Sequence, residues 1–118
     1  MRVREFSALE DKELWDLVRD PVLQRFFRSL EREDFHIVAV QDLLGDIDYV
    51  LVPGVEILLD LLLERADRCY LCIGRGICVV TLWWKEHLIE EHGRTLLEAL
   101  LKVALVAARK RLLAKEVR

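Results

Sequence analysis

Three kinds of residue in this chain have types and spacings that could do chemistry: thiols, acids clustered with histidines, and arginines at helical intervals. Cys69 and Cys72 form a C-x-x-C. A structural zinc site needs a second pair of Cys or His ligands, and a redox C-x-x-C sits at a helix N-terminus. Here the pair falls in a β-rich run, where a separation of three puts the thiols on opposite faces. Packing is the simpler reading. Cys72 and Cys78 are placed differently. If Gly74–Gly76 is a three-residue loop, Ile73 pairs with Ile77 and Cys72 faces Cys78, with Cα atoms about 4.5–5.5 Å apart and within disulfide range. Two reduced, buried thiols are the alternative.

His87, Glu90, Glu91 and His92 hold metal-ligating atoms, but the H-E-x-x-H order is absent. On a strand His87 and His92 face opposite ways, so a solvated strand end is expected. Glu56, Asp60 and Glu64 recur every four residues on an otherwise apolar segment. Paired catalytic acids need a cleft, whereas an acidic line on an apolar helix is its solvent edge. Arg25, Arg28 and Arg32 would share one face of a second helix, and Arg109, Lys110, Arg111, Lys115 and Arg118 crowd the end of the last one. Basic residues at a helix C-terminus favour the dipole without any ligand, yet clustered Lys and Arg are also what phosphate contacts require. Trp83 and Trp84 alternate across a strand, so one of them is a candidate for an exposed interface anchor. No glycine-rich phosphate loop, nucleophile elbow or zincin motif occurs. Ser7, Ser29, Thr81 and Thr95 nominate no nucleophile. No catalytic residue, metal or cofactor is expected.

The elements that must position these residues can be read from caps and periodicity. Ser7-Ala-Leu-Glu10 is a capping box opening a helix to about Arg19. Asp20-Pro21 caps a second helix, expected to run to about Arg32, with Leu23, Phe26, Phe27 and Leu30 inside. Phe35–Val40 fits a short strand or a helix capped by Asp34, and the helix is preferred. Ile47–Val52 is β-rich. Pro53 to Ala66 reads as a helix, and Cys69–Ile73 with Ile77–Trp84 as a hairpin, followed by a short strand at His87–Glu91. Thr95-Leu-Leu-Glu98 is a second capping box, opening a long final helix to about Lys115. In that helix Glu98 and Lys102 mark the expected wet edge. Leu96, Val103 and Ala107 form a second apolar stripe beyond the one facing the sheet, which motivates a homodimer through this helix.

These elements amount to an α+β fold. A small antiparallel sheet, a hairpin or three-stranded meander, is packed between helices, with a long C-terminal helix. The 118 residues suit a single domain, with a mainly helical part at 1–45 and a helix–strands–helix core at 53–118. The composition, 53% hydrophobic and 33% charged, excludes intrinsic disorder. The net charge of −3 excludes a global basic field, but it is uneven. Residues 1–59 carry seven Lys/Arg against thirteen Asp/Glu, and residues 60–118 carry eleven against eight. Met-Arg-Val-Arg-Glu-Phe is followed by no apolar h-region, and every long apolar stretch is interrupted by charge. With three Cys, this points to a reducing cytoplasm and no membrane.

Gly93-Arg-Thr-Leu-Leu-Glu-Ala-Leu-Leu-Lys-Val-Ala-Leu-Val-Ala107, following the strand with Trp83 and Trp84, resembles the closing helix of the small phage proteins of the "phage ABA sandwich" type. Glu10-Asp-Lys-Glu-Leu-Trp-Asp-Leu-Val18 is similar to their short N-terminal helix. The Cys usual in that closing helix is replaced here by Lys102 or Val103. The resemblance implies phage or prophage origin, α/β/α layering and no catalytic residues; the location would then be the host cytoplasm. The expected function is that of a non-enzymatic interaction protein, binding and modulating a host protein such as transcription or defence machinery. Its partner surface would be drawn from Trp83, Trp84, Arg109, Lys110, Arg111 and Lys115, with a second basic patch at Arg25, Arg28 and Arg32. The alternatives are a nucleic-acid-binding module using the basic C-terminal helix, and an oligomer that sequesters a small ligand.

Overall fold

A computed structural model of the chain describes residues 3–4, 16–41, 44–84 and 86–112. The fold is α+β and divides into two compact units, Met1–Gly54 and Val55–Arg118.

In the N-terminal unit, β1 (Val3–Arg4) pairs in parallel with β2 (His36–Gln41), which pairs antiparallel with β3 (Ile47–Val52). Between β1 and β2 lies α1 (Pro21–Ser29). Its start is the one the sequence announces: the Asp20 carboxylate accepts from the Val22 N–H, and Pro21 occupies the first turn. Residues 16–18 are also helical, whereas the Ser7–Glu10 capping box lies outside the described residues.

Two expectations are corrected here. Phe35–Val40 is not a helix. It supplies β2, because an apolar run this short carries no decisive period and is settled by the two strands that flank it. The second helix also ends three residues early. Glu31 takes φ +50°, a left-handed conformation that closes the last turn as the Glu31 N–H donates to the Arg28 carbonyl.

Leu23 and Phe27 of α1 are fully buried, as are Phe35 and Val38. The rings of Phe27 and Phe35 meet edge to face at 5.4 Å. One polar side chain joins this core. Gln24, 5% exposed, donates from Nε2 to the Val18 carbonyl at 2.8 Å and to the Leu51 carbonyl at 2.9 Å. Its Oε1 accepts from the Leu51 N–H at 2.8 Å. The amide therefore fastens α1 to β3 as a neighbouring strand would.

In the C-terminal unit, α2 (Val55–Leu63) precedes the antiparallel meander β4 (Arg68–Gly74), β5 (Ile77–Trp84) and β6 (His87–Gly93), and α3 (Leu96–Arg109) closes it. Leu58, Leu61 and Leu62 of α2 are buried, while Glu56, Asp60 and Glu64 are exposed along the expected line. Alternation along β5 buries Cys78, Val80 and Leu82. These face α3 together with Ile89 and Gly93 of β6. A Cβ at Gly93 would stand 2.8 Å from the Ala99 nitrogen, so only glycine lets the helix approach this strand.

The hairpin register differs by one residue from the expected one. Gly74 pairs with Ile77 and Ile73 with Cys78, around a two-residue Arg75-Gly76 turn in which Gly76 takes φ +70°. Cys72 is thus opposite Val79, on the face away from Cys78, and the two thiols cannot pair. All three cysteines are free.

Glu98 and Lys102 are not a wet edge. Glu98 is only 5% exposed. It accepts from the Arg94 N–H at 3.3 Å, pairs with Lys102 Nζ at 3.3 Å and sits near Arg94 Nε at 3.7 Å. Lys102 Nζ also donates to the His92 carbonyl at 3.0 Å. Thr95 caps the helix by accepting from the Glu98 N–H. The stripe that motivated a homodimer is also mostly covered: Val103 and Ala107 are fully buried within the single chain, and α2 packs against α3. At the far end Arg111 takes φ +60°. Its N–H donates to the Ala108 carbonyl, and that of Leu112 to the Ala107 carbonyl, which is the Schellman arrangement without its usual glycine.

Replacing Gln24 by Leu leaves the buried Val18 and Leu51 groups unpaired. It is expected to cost about 1–3 kcal/mol, read from the urea midpoint. Gly93→Ala drives a methyl into the α3 backbone and is expected to lower the midpoint by about 1–3 kcal/mol, again by urea unfolding.

Candidate functional site

The observed register sorts every side chain of the C-terminal sheet onto one of two faces. The face under α3 carries Cys69, Leu71 and Ile73 of β4, then Cys78, Val80, Leu82 and Trp84, then His87, Ile89, Glu91 and Gly93. The opposite face carries Arg68, Tyr70 and Cys72, then Ile77, Val79, Thr81 and Trp83, then Leu88, Glu90 and His92. Tyr70 is 54% exposed, Ile77 53%, Trp83 44% and Leu88 55%. A sheet face normally buries such side chains, and here four large ones stand in the open on three adjacent strands. Trp83 lies directly across from Leu88 on one side and from Arg68 on the other. Polar side chains rim the patch, the charged Arg68 and Glu90 with His92, and the Thr81 hydroxyl donates to Glu90 Oε1 at 3.0 Å.

The structure separates the residues that the sequence grouped as one partner surface. Trp83 is on the open face. Trp84 points the other way and is half-buried, and its indole Nε1 is buried with no hydrogen-bond partner among the described residues. Arg109 ends α3, and Lys110 and Arg111 leave it in the closing turn, all three exposed. They belong to the helix that lies against the face opposite Trp83. Lys115 and Arg118 lie outside the described residues. The second basic patch is also divided. Arg25 and Arg28 are exposed on α1, while Arg32 lies beyond the helix and is held by Asp34, with Arg32 Nη2 to Asp34 Oδ2 at 2.6 Å and Nε to Oδ1 at 2.9 Å. This bidentate contact keeps the Asp34 carboxyl below its ordinary pKa.

Cys69 and Cys72 face opposite ways, as do His87 and His92. No group of three His, Cys, Asp or Glu side chains is arranged to hold a metal ion among the described residues. Sequence reasoning missed Tyr70, Ile77 and Leu88. The signal for them was present in the alternation of β4 and β6, but it is usable only once the turn length fixes which set points outward.

Comparison of the chain with known protein families, curated proteins and solved structures finds no match. No helix among the described residues is long and apolar enough to cross a membrane.

The three thiols differ in surroundings. Cys72 is exposed, Cys78 is buried, and Cys69 is half-buried, with burial pushing its pKa up. Alkylation by iodoacetamide at mildly alkaline pH is expected to modify Cys72 first, Cys69 more slowly because less of it is thiolate, and Cys78 only on unfolding. Peptide mass spectrometry over a time course checks the order.

Proposed function

We propose that the chain is a non-enzymatic interaction protein that binds a protein partner through the open face of its C-terminal sheet. The observation that carries this reading is the exposure of Tyr70, Ile77, Trp83 and Leu88 together on one face. Tyrosine and tryptophan dominate binding energy at protein interfaces because they bury a large area with few rotatable bonds. Burying each of the four side chains offers about 1.5–3 kcal/mol, against which the cost of association must be set. Arg68, Glu90 and His92 at the rim would supply orientation more than affinity. The fitting partner surface is apolar at its centre, with a mixed-charge rim. On the resemblance carried by residues 93–107, that partner is a host protein and the effect on it is modulation, with transcription or defence machinery as the class to examine.

The test is capture of partners from a host lysate on immobilised protein, comparing the wild type with Trp83→Ala and Tyr70→Ala. Both side chains are exposed, so each variant is expected to keep its unfolding midpoint within about 0.5 kcal/mol. Each is also expected to lose the protein that the wild type retains. Retention of the same protein by both variants, or a wild-type complex that dissolves with added heparin or nuclease, overturns the reading.

A further inference from the structure

The N-terminal unit holds a groove of about 440 Å³ lined by Arg19, Gln24, Arg25, Arg28, Asp48 and Tyr49. Its shape follows from α1. Arg25 and Arg28 are three residues apart, so their side chains share the face that also carries Gln24. The left-handed Glu31 ends the helix before Arg32 can extend the row, and Arg32 is spent on Asp34. Arg19, just ahead of the helix, takes the third place. Across the groove stands β3, with Tyr49 59% exposed.

The charges do not cancel. Asp48 faces Arg19 at 3.6 Å. Arg25 and Arg28 have no ion-pair or hydrogen-bond partner among the described residues, and the Gln24 amide is consumed by Val18 and Leu51. Two guanidinium forks with no partner among the described residues therefore border a groove of small-ligand size, beside an exposed phenol ring.

We propose that this groove binds a phosphate-bearing ligand of about nucleotide size. Arg25 and Arg28 hold the phosphate oxygens, and a flat ring stacks on Tyr49. A guanidinium presents its donors in a plane that matches two oxygens of a phosphate or a carboxylate, and two such forks at one groove suit a phosphate group, which carries more oxygens than a carboxylate. The charge balance of this part of the chain disfavours a long nucleic acid. Residues 1–59 carry seven basic against thirteen acidic side chains, so there is no broad basic surplus for a polyanion to follow. A single phosphate group meets only the local positive charge.

The experiment is calorimetric titration of the full chain at low salt with adenosine 5′-monophosphate, adenosine, inorganic phosphate and a ten-nucleotide single strand. The monophosphate is expected to bind and adenosine not to. Arg25→Gln and Arg28→Gln should each weaken binding roughly tenfold or more. Both residues are exposed and have no partner among the described residues, so far-UV circular dichroism should show the fold unchanged in both variants. Asp48→Asn releases Arg19 and should tighten binding. Tyr49→Ala should weaken the monophosphate and leave inorganic phosphate unaffected. Arg32→Gln should change nothing. Failure of the monophosphate to bind, or a loss in Arg32→Gln equal to that in Arg25→Gln, overturns the site. Much tighter binding of the ten-nucleotide strand, with a steep salt dependence, overturns the small-ligand assignment in favour of nucleic acid.

Discussion

The two-residue turn at Arg75-Gly76 is the constraint on which the C-terminal unit depends. Strand side chains alternate with a period of two, so adding a single residue to this turn would exchange the two faces of β4 relative to β5. With the turn as it is, Cys78, Val80 and Leu82 point together at α3, and Gly93 directly across from Cys78 leaves room for the helix backbone. The same parity turns Tyr70 and Trp83 outward on neighbouring strands. The buried floor under α3 and the open face behind it are therefore one decision, made at a glycine with positive φ.

The N-terminal unit uses different means to a similar end. There the helix and the sheet are tied by one amide, Gln24, which satisfies both backbone groups of Leu51 and the Val18 carbonyl. An apolar residue at this position would pack, but it would leave those groups without partners in a dry place. Fixing α1 in this way also fixes where its arginines stand. Glu98 plays the corresponding part in the other unit, where a carboxylate enclosed by Arg94 and Lys102 joins the end of β6 to the first turn of α3. Among the described residues of each unit a buried polar side chain does the joining, and apolar contacts fill the space around it.

Local signals in the sequence were legible where they concern a few consecutive residues. The Asp20-Pro21 start, the Thr95 cap, the hairpin, the acidic line of α2 and the long last helix all rest on contacts within one or two turns. The illegible parts depend on partners far along the chain. Phe35–Val40 became a strand because β1 and β3 flank it. Glu98 looked solvated because its helix places it beside Lys102, and nothing local says that His92 and Arg94 close over both. Arg32 was grouped with Arg25 and Arg28 by spacing, and a left-handed residue between them broke the group. Trp83 and Trp84 were correctly set on opposite faces, but which one is open needed the register.

The edges of the C-terminal sheet are unequally guarded. β6 carries Glu90 and Glu91, charges that discourage another strand from adding to it. β4 has Arg68 at its start and then five residues with no charge and no proline before Gly74, with Leu71 39% and Ile73 66% exposed. Among the described residues no strand pairs with the outer side of β4, so this edge offers backbone groups and an apolar surface to an extended chain. β4 is therefore a strand at which chains could join edge to edge. A partly folded chain exposes this strand as well, and pairing along β4 then competes with folding.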